Sequence, residues 1–261
     1  EWLDFCYFAK AHPKRGAPIS RQLWLSGFGD MWGRIAEPSA GWASHPSNCP
    51  EEKDYNLLNL VFPNYGNYYR TFPGRFWTGT PYGPVDCIPW DTPYEHLKTY
   101  EVIVVMGGPM IIEEKTYQNL KEYVKEGGKL VMALGHLRKK SSEGMSFLKT
   151  DLTDLFGVKI GRKKEMDGIP YYQLIIPSET EFQVEVLSCL RNSMPLVISN
   201  RLGKGRAHLF ATEYLTSFGE AEPSKVIQPL LENSKYLEFS PESSYLEYMV
   251  QKKGESYILP L

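Results

Sequence analysis

The chain is poor in the features that announce specialised protein classes. It has four cysteines, Cys6, Cys49, Cys87 and Cys189, far apart and without a CxxC pair. That argues against a zinc site or a dense disulfide framework, although a single bridge stays open. No apolar run approaches the roughly 20 residues needed to cross a bilayer, so no membrane partner is expected. Charge is nearly balanced, at −2 over 261 residues, and nothing points to a polyanion such as nucleic acid. Internal repeats, low-complexity tracts and metal-ligand spacings are absent, and no cofactor is expected.

What the chain has is aromatic residues, 13% of the total with 17 Tyr and 6 Trp, and one strongly patterned stretch from Lys98 to His136. Val102–Met106 is short, apolar and β-branched, the mark of a strand covered on both faces. Gly107-Gly108-Pro109 ends it. From Glu113 to Lys125, Tyr117, Leu120, Tyr123 and Val124 recur at helical spacing, and Glu113-Glu114 suit the positive end of the helix dipole. Gly127-Gly128 stops the helix, and Lys129–Leu134 is a second buried strand. A strand–helix–strand unit of this length is a right-handed crossover between parallel strands, so the expected class is α/β.

Around this unit, Glu1–Ala11 reads as a short helix broken by His12-Pro13. Arg21–Ser26 reads as the first strand, followed by the glycine-punctuated turn GFGDMWG, which fits no phosphate-loop pattern. Asp54–Phe62 reads as a helix. Pro63–Pro84 is a long loop dense in aromatics, a length usually tied to function. Its aromatics suit either stacking on sugar faces or packing the loop onto the protein.

Val85–Pro89 is the next strand and Thr92 to Tyr100 a short helix. Leu137–Gly144 reads as a basic loop and Asp151–Phe156 as a helix capped by Asp151. Val158–Ile160, Tyr171–Ile176 and Phe182–Leu187 read as a mixed or antiparallel appendage. Leu196–Arg201 and Arg206–Thr212 form a hairpin, Ser224–Tyr236 an amphipathic helix, and the tail around Lys252-Lys253-Gly254 another hairpin. The expected organisation is a linker helix over 1–18, an α/β domain over 19–240 and the start of a β-hairpin or β-domain over 241–261. Because Glu1 opens inside an apparent helix and Leu261 closes inside an apparent strand, a longer parent polypeptide is expected.

Open parallel sheets bind ligands at the carboxyl ends of their strands. Here those ends gather Asp30 and Trp32, Trp90 and Asp91, Gly107 and Gly108, Gly135 and His136, and Thr212 and Glu213. Asp91, His136 and Glu213 are the candidate catalytic residues. Asp30, Trp32, Tyr65, Trp77, Tyr82 and Trp90 are the candidate ligand contacts. A nucleophile elbow needs Ser or Cys on a sharp turn, whereas Leu134-Gly135-His136-Leu137 presents a histidine. His136 reads as a general base or a hydrogen-bonded structural histidine, and His208, alternating within a strand, as structural. Arg138, Lys139 and Lys140 read as a solvated basic loop.

The blocks YGPVDCIPWDTPYEHLKTYEVIVVMGG, EEKTYQNLKEYVKEGGKLVMALGH, DLTDLFGVKI and NRLGKGRAHLFAT are similar in order and spacing to the central domain of family 42 β-galactosidases. The resemblance spans about Phe5 to Tyr214. It implies a flavodoxin-like, class I glutamine amidotransferase-like fold, mostly parallel with helices on both faces. That domain follows a catalytic (β/α)₈ barrel and serves trimerisation, so a missing N-terminal barrel, a homo-oligomer and a carbohydrate are the partners it implies. It also implies that the catalytic glutamates lie on the barrel, outside this chain. Against amidotransferases the chain departs decisively. Their nucleophilic Cys would fall near His136, and only Glu213 stands for their His-x-Glu pair. The expected function is a non-catalytic assembly domain of a β-galactosidase-like glycoside hydrolase that contributes to a carbohydrate pocket. The alternatives are a stand-alone carbohydrate-binding protein or a hydrolase using Asp30, Asp91, Glu213 and His136.

Overall fold

The computed structural model describes residues 85–89, 92–107, 111–141, 144–178, 183–235 and 250–258, together with 17–18, 20–26 and the single positions 7, 10, 11, 57, 60 and 82. In chain order the first strands are β1 (Ala17–Pro18), β2 (Gln22–Ser26) and β3 (Val85–Pro89). Helix α1 (Tyr94–Leu97), β4 (Val102–Met106), α2 (Glu114–Glu126) and β5 (Lys129–Ala133) follow, and a 3₁₀ turn over Leu134–His136 continues β5. Next come β6 (Arg138–Ser141), β7 (Gly144–Phe147), β8 (Asp151–Leu152), α3 (Thr153–Phe156), β9 (Val158–Met166) and β10 (Ile169–Ile175). The chain continues with β11 (Gln183–Cys189), β12 (Pro195–Leu202), β13 (Gly205–Phe210), α4 (Ala221–Asn233), β14 (Gln251–Lys253) and β15 (Ser256–Ile258).

Seven strands form one sheet in the order β11-β12-β13-β5-β4-β2-β3. The pairings β2–β3, β2–β4, β4–β5 and β5–β13 are parallel, whereas β11–β12 and β12–β13 are antiparallel. The sheet is therefore mixed, and the smaller sheets β8–β10, β6–β7 and β1-β14-β15 are antiparallel. The class is α/β, as the Lys98–His136 pattern implies, but the flavodoxin-like arrangement is narrower than these pairings.

The two central strands explain why the sheet is covered on both sides. All five residues of β4 are buried and alternate between faces: Ile103 and Val105 join one cluster, Val102, Val104 and Met106 the other. Leu130 and Met132 of β5 follow the first, Val131 and Ala133 the second. Helix α2 covers the first face with Tyr117, Leu120, Tyr123 and Val124, and α4 the second with Ile227 and Leu231. Each such side chain, fully buried, is worth about 1.5–3 kcal/mol. Leu57 is also buried in the second cluster, with Leu60 packed against it.

Several expectations need correcting. Leu137–Gly144 is no loop, because Arg138–Ser141 pairs antiparallel with Gly144–Phe147 as a hairpin. Residues 161–166 belong to a long strand, β9, whose run of exposed charges hid its pairing with β10. Gln183–Cys189 belongs to the main sheet, as its edge, and not to the appendage. Asp151 lies in a two-residue strand before α3, although its carboxylate still accepts from the Thr153 N–H at 3.1 Å. Most of the expected 1–11 and 54–62 helices and of the Pro63–Pro84 loop, and all of the 27–33 turn, lie outside the described residues.

Gly205 opens β13 where the turn of α2 presses closest. A Cβ there would lie 2.2 Å from the carbonyl oxygens of both Gly128 and Val124. Neither backbone oxygen can swing away, so Gly205→Ala should lower stability by about 1–3 kcal/mol. A urea midpoint equal to that of the unaltered protein would show that the approach is looser than this.

Candidate functional site

The carboxyl ends of β4, β5 and β13 converge as expected, and the backbone does most of the joining. Gly135 donates its N–H to the Thr212 carbonyl at 3.2 Å. A Cβ on Gly135 would fall 2.0 Å from the Glu213 carbonyl oxygen, so only glycine permits this approach. Tyr172 of β10 donates its N–H to Ala211 at 2.7 Å, and Tyr171 bridges Thr212, which draws the β9–β10 hairpin over the tip of β13. The Thr212 hydroxyl donates to the Tyr214 carbonyl at 2.7 Å, pinning the turn that carries Glu213.

His136 is fully buried on the 3₁₀ turn after β5. Its Nδ1 accepts from the Ala133 N–H at 3.0 Å, so the proton resides on Nε2, which donates to the Gly107 carbonyl at 3.1 Å. Burial pushes its pKa down to about 4, against a smaller upward pull from the Gly107 carbonyl. Neutral, enclosed and bonded through both nitrogens, the ring ties the tip of β4 to that of β5 and has no lone pair left for a substrate proton.

Glu213 sits in a different constellation, one that sequence reasoning missed. Its Oε1 pairs with Arg138 Nη2 and accepts from the Tyr172 hydroxyl at 2.6 Å. The same Nη2 also donates to the Tyr172 hydroxyl at 2.8 Å. The Arg138 guanidinium lies 3.8 Å from the centre of the Phe147 ring, which meets Tyr172 edge-on at 4.9 Å. Burial and the neighbouring Glu213 raise the Tyr172 pKa. Arg138 is thus no part of a solvated basic run: it staples the β6–β7 hairpin, β10 and the turn after β13. Alternation within β6 sets Arg138 on the face opposite the exposed Lys139, but Lys140 shares the face of Arg138 and is exposed too, so the sequence alone does not single out Arg138.

Other candidates divide. Tyr82 is half-buried against the second cluster, with the Lys235 ammonium 5.4 Å from its ring centre. The Lys235 carbonyl accepts from Arg21 at 3.1 Å, just before β2. Tyr82 therefore belongs to the amino ends of the parallel strands, away from His136 and Glu213. Asp30, Trp32, Tyr65, Trp77, Trp90 and Asp91 lie outside the described residues. Among the described residues, no group of three His, Cys, Asp or Glu side chains is placed to hold a metal ion.

His208, mid-strand in β13, is buried with neither ring nitrogen hydrogen-bonded among the described residues, and its pKa is pushed down to about 4 by burial first and Arg206 second. The unfolded chain takes a proton on His136 and on His208 near pH 6.5, the folded chain only near pH 4. Between those values the unfolded state binds more protons, so stability is full above pH 6.5 and falls toward pH 4, by up to about 3 kcal/mol per histidine. His208→Leu should reduce this acid loss and, by removing two orphaned nitrogens, leave stability at pH 7.5 unchanged or about 1 kcal/mol higher. Urea midpoints from pH 7.5 to 4.5 check both. Arg138→Met, which strands the Glu213 carboxylate, should cost about 2 kcal/mol, below the range for fully enclosed pairs because the side chains keep 12% and 15% exposure. The added change Glu213→Leu should restore most of it.

No protein-family model and no curated protein matches the chain. Solved structures do. A beta-galactosidase from the haloarchaeon Halorubrum lacusprofundi aligns over 87% of this chain and 32% of its own, at 14% identity and a TM-score of 0.52. A catalytic mutant of a GH42 beta-galactosidase from G. stearothermophilus aligns over 99% and 37%, at 18% identity and 0.52. The beta-galactosidase of Bacillus circulans sp. alkalophilus aligns over 94% and 35%, at 14% identity and 0.53. The chain thus spans about a third of the length of each of these three proteins. At such identities the likeness is one of fold: this chain has a fold that forms part of beta-galactosidase structures.

Proposed function

We propose that this chain is a non-catalytic accessory domain of a β-galactosidase-like glycoside hydrolase, serving subunit assembly and contributing one edge to a carbohydrate pocket. The observation that carries this reading is the fold likeness, which covers nearly all of this chain and about a third of each β-galactosidase. The strand tips agree with it. Glycosidase chemistry needs a carboxylic acid and a second carboxyl at a set separation. Here His136 has no free nitrogen, and Glu213 is held by a guanidinium and a phenol. On this reading the reacting carboxyls belong to a barrel domain of the parent. The candidate contacts Asp30, Trp32, Tyr65, Trp77, Trp90 and Asp91 would then line the pocket edge, with catalytic roles proposed for none of them.

The test is the solution mass by light scattering, run beside a turnover assay on an aryl β-galactoside. The expected result is a stable multiple of the 29.9 kDa protomer, indifferent to sugar, with no turnover. Hydrolysis that disappears in Asp91→Asn or His136→Ala would replace this reading with a hydrolase at the strand tips. A monomer whose tryptophan fluorescence shifts with one saccharide would replace it with a stand-alone carbohydrate-binding protein.

A further inference from the structure

The Arg138–Glu213 pair is only half used by the protein. Among the described residues, the pair's hydrogen bonds run through one atom on each side. Nη2 of Arg138 donates to Tyr172 and Glu213, and Oε1 of Glu213 accepts from Tyr172 and Arg138. Oε2 of Glu213 and the Nε and Nη1 groups of Arg138 have no protein partner among those residues. None of these three is a buried orphan either, and the two side chains keep 12% and 15% of their surface open. A carboxylate oxygen and guanidinium N–H groups of one ion pair are therefore left unspent and not fully enclosed, at the carboxyl end of the parallel strands, where sheets of this kind take ligands.

The chemistry of that pair selects its ligand. An anion meets the unspent carboxylate and a cation the guanidinium, so either is opposed by one half of the pair. A neutral group offering one donor and one acceptor side by side satisfies both halves. Two neighbouring hydroxyls do this: one donates to Oε2, the other accepts from Nε or Nη1. The surroundings keep the geometry fixed. Phe147 packs against the guanidinium plane, and Tyr172 holds both the guanidinium and the carboxylate. The pair is thus pre-oriented before any ligand arrives, which lowers the ordering cost of binding.

We propose that Arg138 and Glu213 form a subsite for a vicinal diol of a neutral saccharide. This deepens the proposed carbohydrate-pocket role and rests on it for the ligand class. The test uses the full chain labelled with ¹⁵N, following the Arg138 Nε–H resonance. The probes are methyl β-D-galactopyranoside and its 3,4-O-isopropylidene acetal, in which the neighbouring hydroxyls are capped. A saturable shift with the galactoside and none with the acetal is expected. Glu213→Gln, which keeps the shape and removes the charge, should weaken binding about tenfold.

The two ligands are compared on the unaltered protein, so the result does not depend on how the variant folds. No saturable shift with the galactoside, or an equal shift with the acetal, overturns the subsite. A shift with sulfate as strong as with the galactoside makes it an anion site and overturns the diol. Light scattering on the same samples separates the two readings. An oligomer that binds no diol removes the subsite and leaves the assembly role; a diol-binding monomer does the reverse.

Discussion

A single neutral imidazole holds the working end of this sheet. His136 accepts from the backbone of its own strand and donates to the carbonyl that closes β4, so two buried strand tips share one ring. Neither strand offers its neighbour a polar side chain there: β4 is Val-Ile-Val-Val-Met and β5 ends in Val-Met-Ala. Without the ring, the Ala133 N–H and the Gly107 carbonyl would lose these partners in a region cut off from water, and unmade buried hydrogen bonds cost more than made ones return. The rest of the site is built outward from this point. Gly135 lets the Glu213 turn close against the ring's own turn, and that closure brings Glu213 to Arg138 and Tyr172.

Two sorts of polar group thus lie within one strand end, and they differ in freedom. His136 has both nitrogens committed and is shielded from solvent. Arg138 and Glu213 are committed on one side only and remain partly wet. A histidine at a strand tip invites a catalytic reading from sequence, yet here the less conspicuous arginine, embedded in a basic run, has the chemistry to meet a ligand. Burial separates the two cases, and burial depends on contacts with residues distant in sequence.

The same distinction explains what the sequence revealed. Strand β4 is legible to the residue, and α2 to within one, because a doubly covered strand must be apolar throughout and a covered helix must repeat at 3.6. The convergence of Gly107, His136, Thr212 and Glu213 also followed from topology alone. The β6–β7 hairpin and residues 161–166 of β9 were illegible for the opposite reason. They carry Lys139, Lys140, Lys163 and Lys164 in runs that resemble solvated loops, and what makes them strands is pairing with β7 and β10 rather than burial of their own side chains. Tyr82 illustrates a third limit: nothing in an aromatic-rich stretch says toward which end of the sheet a given ring will point.

The small sheet β1-β14-β15 carries a consequence of another kind. Ala17 pairs with Lys252, and Pro18 with Gln251, across almost the whole length of the chain. On a ribosome adding about 5–20 residues per second, the first of these strands emerges some tens of seconds or less before its mate is made. For that interval β1 waits without its β14 partner while the central sheet can already assemble. Closure of the ladder therefore waits until synthesis has passed the β14–β15 hairpin.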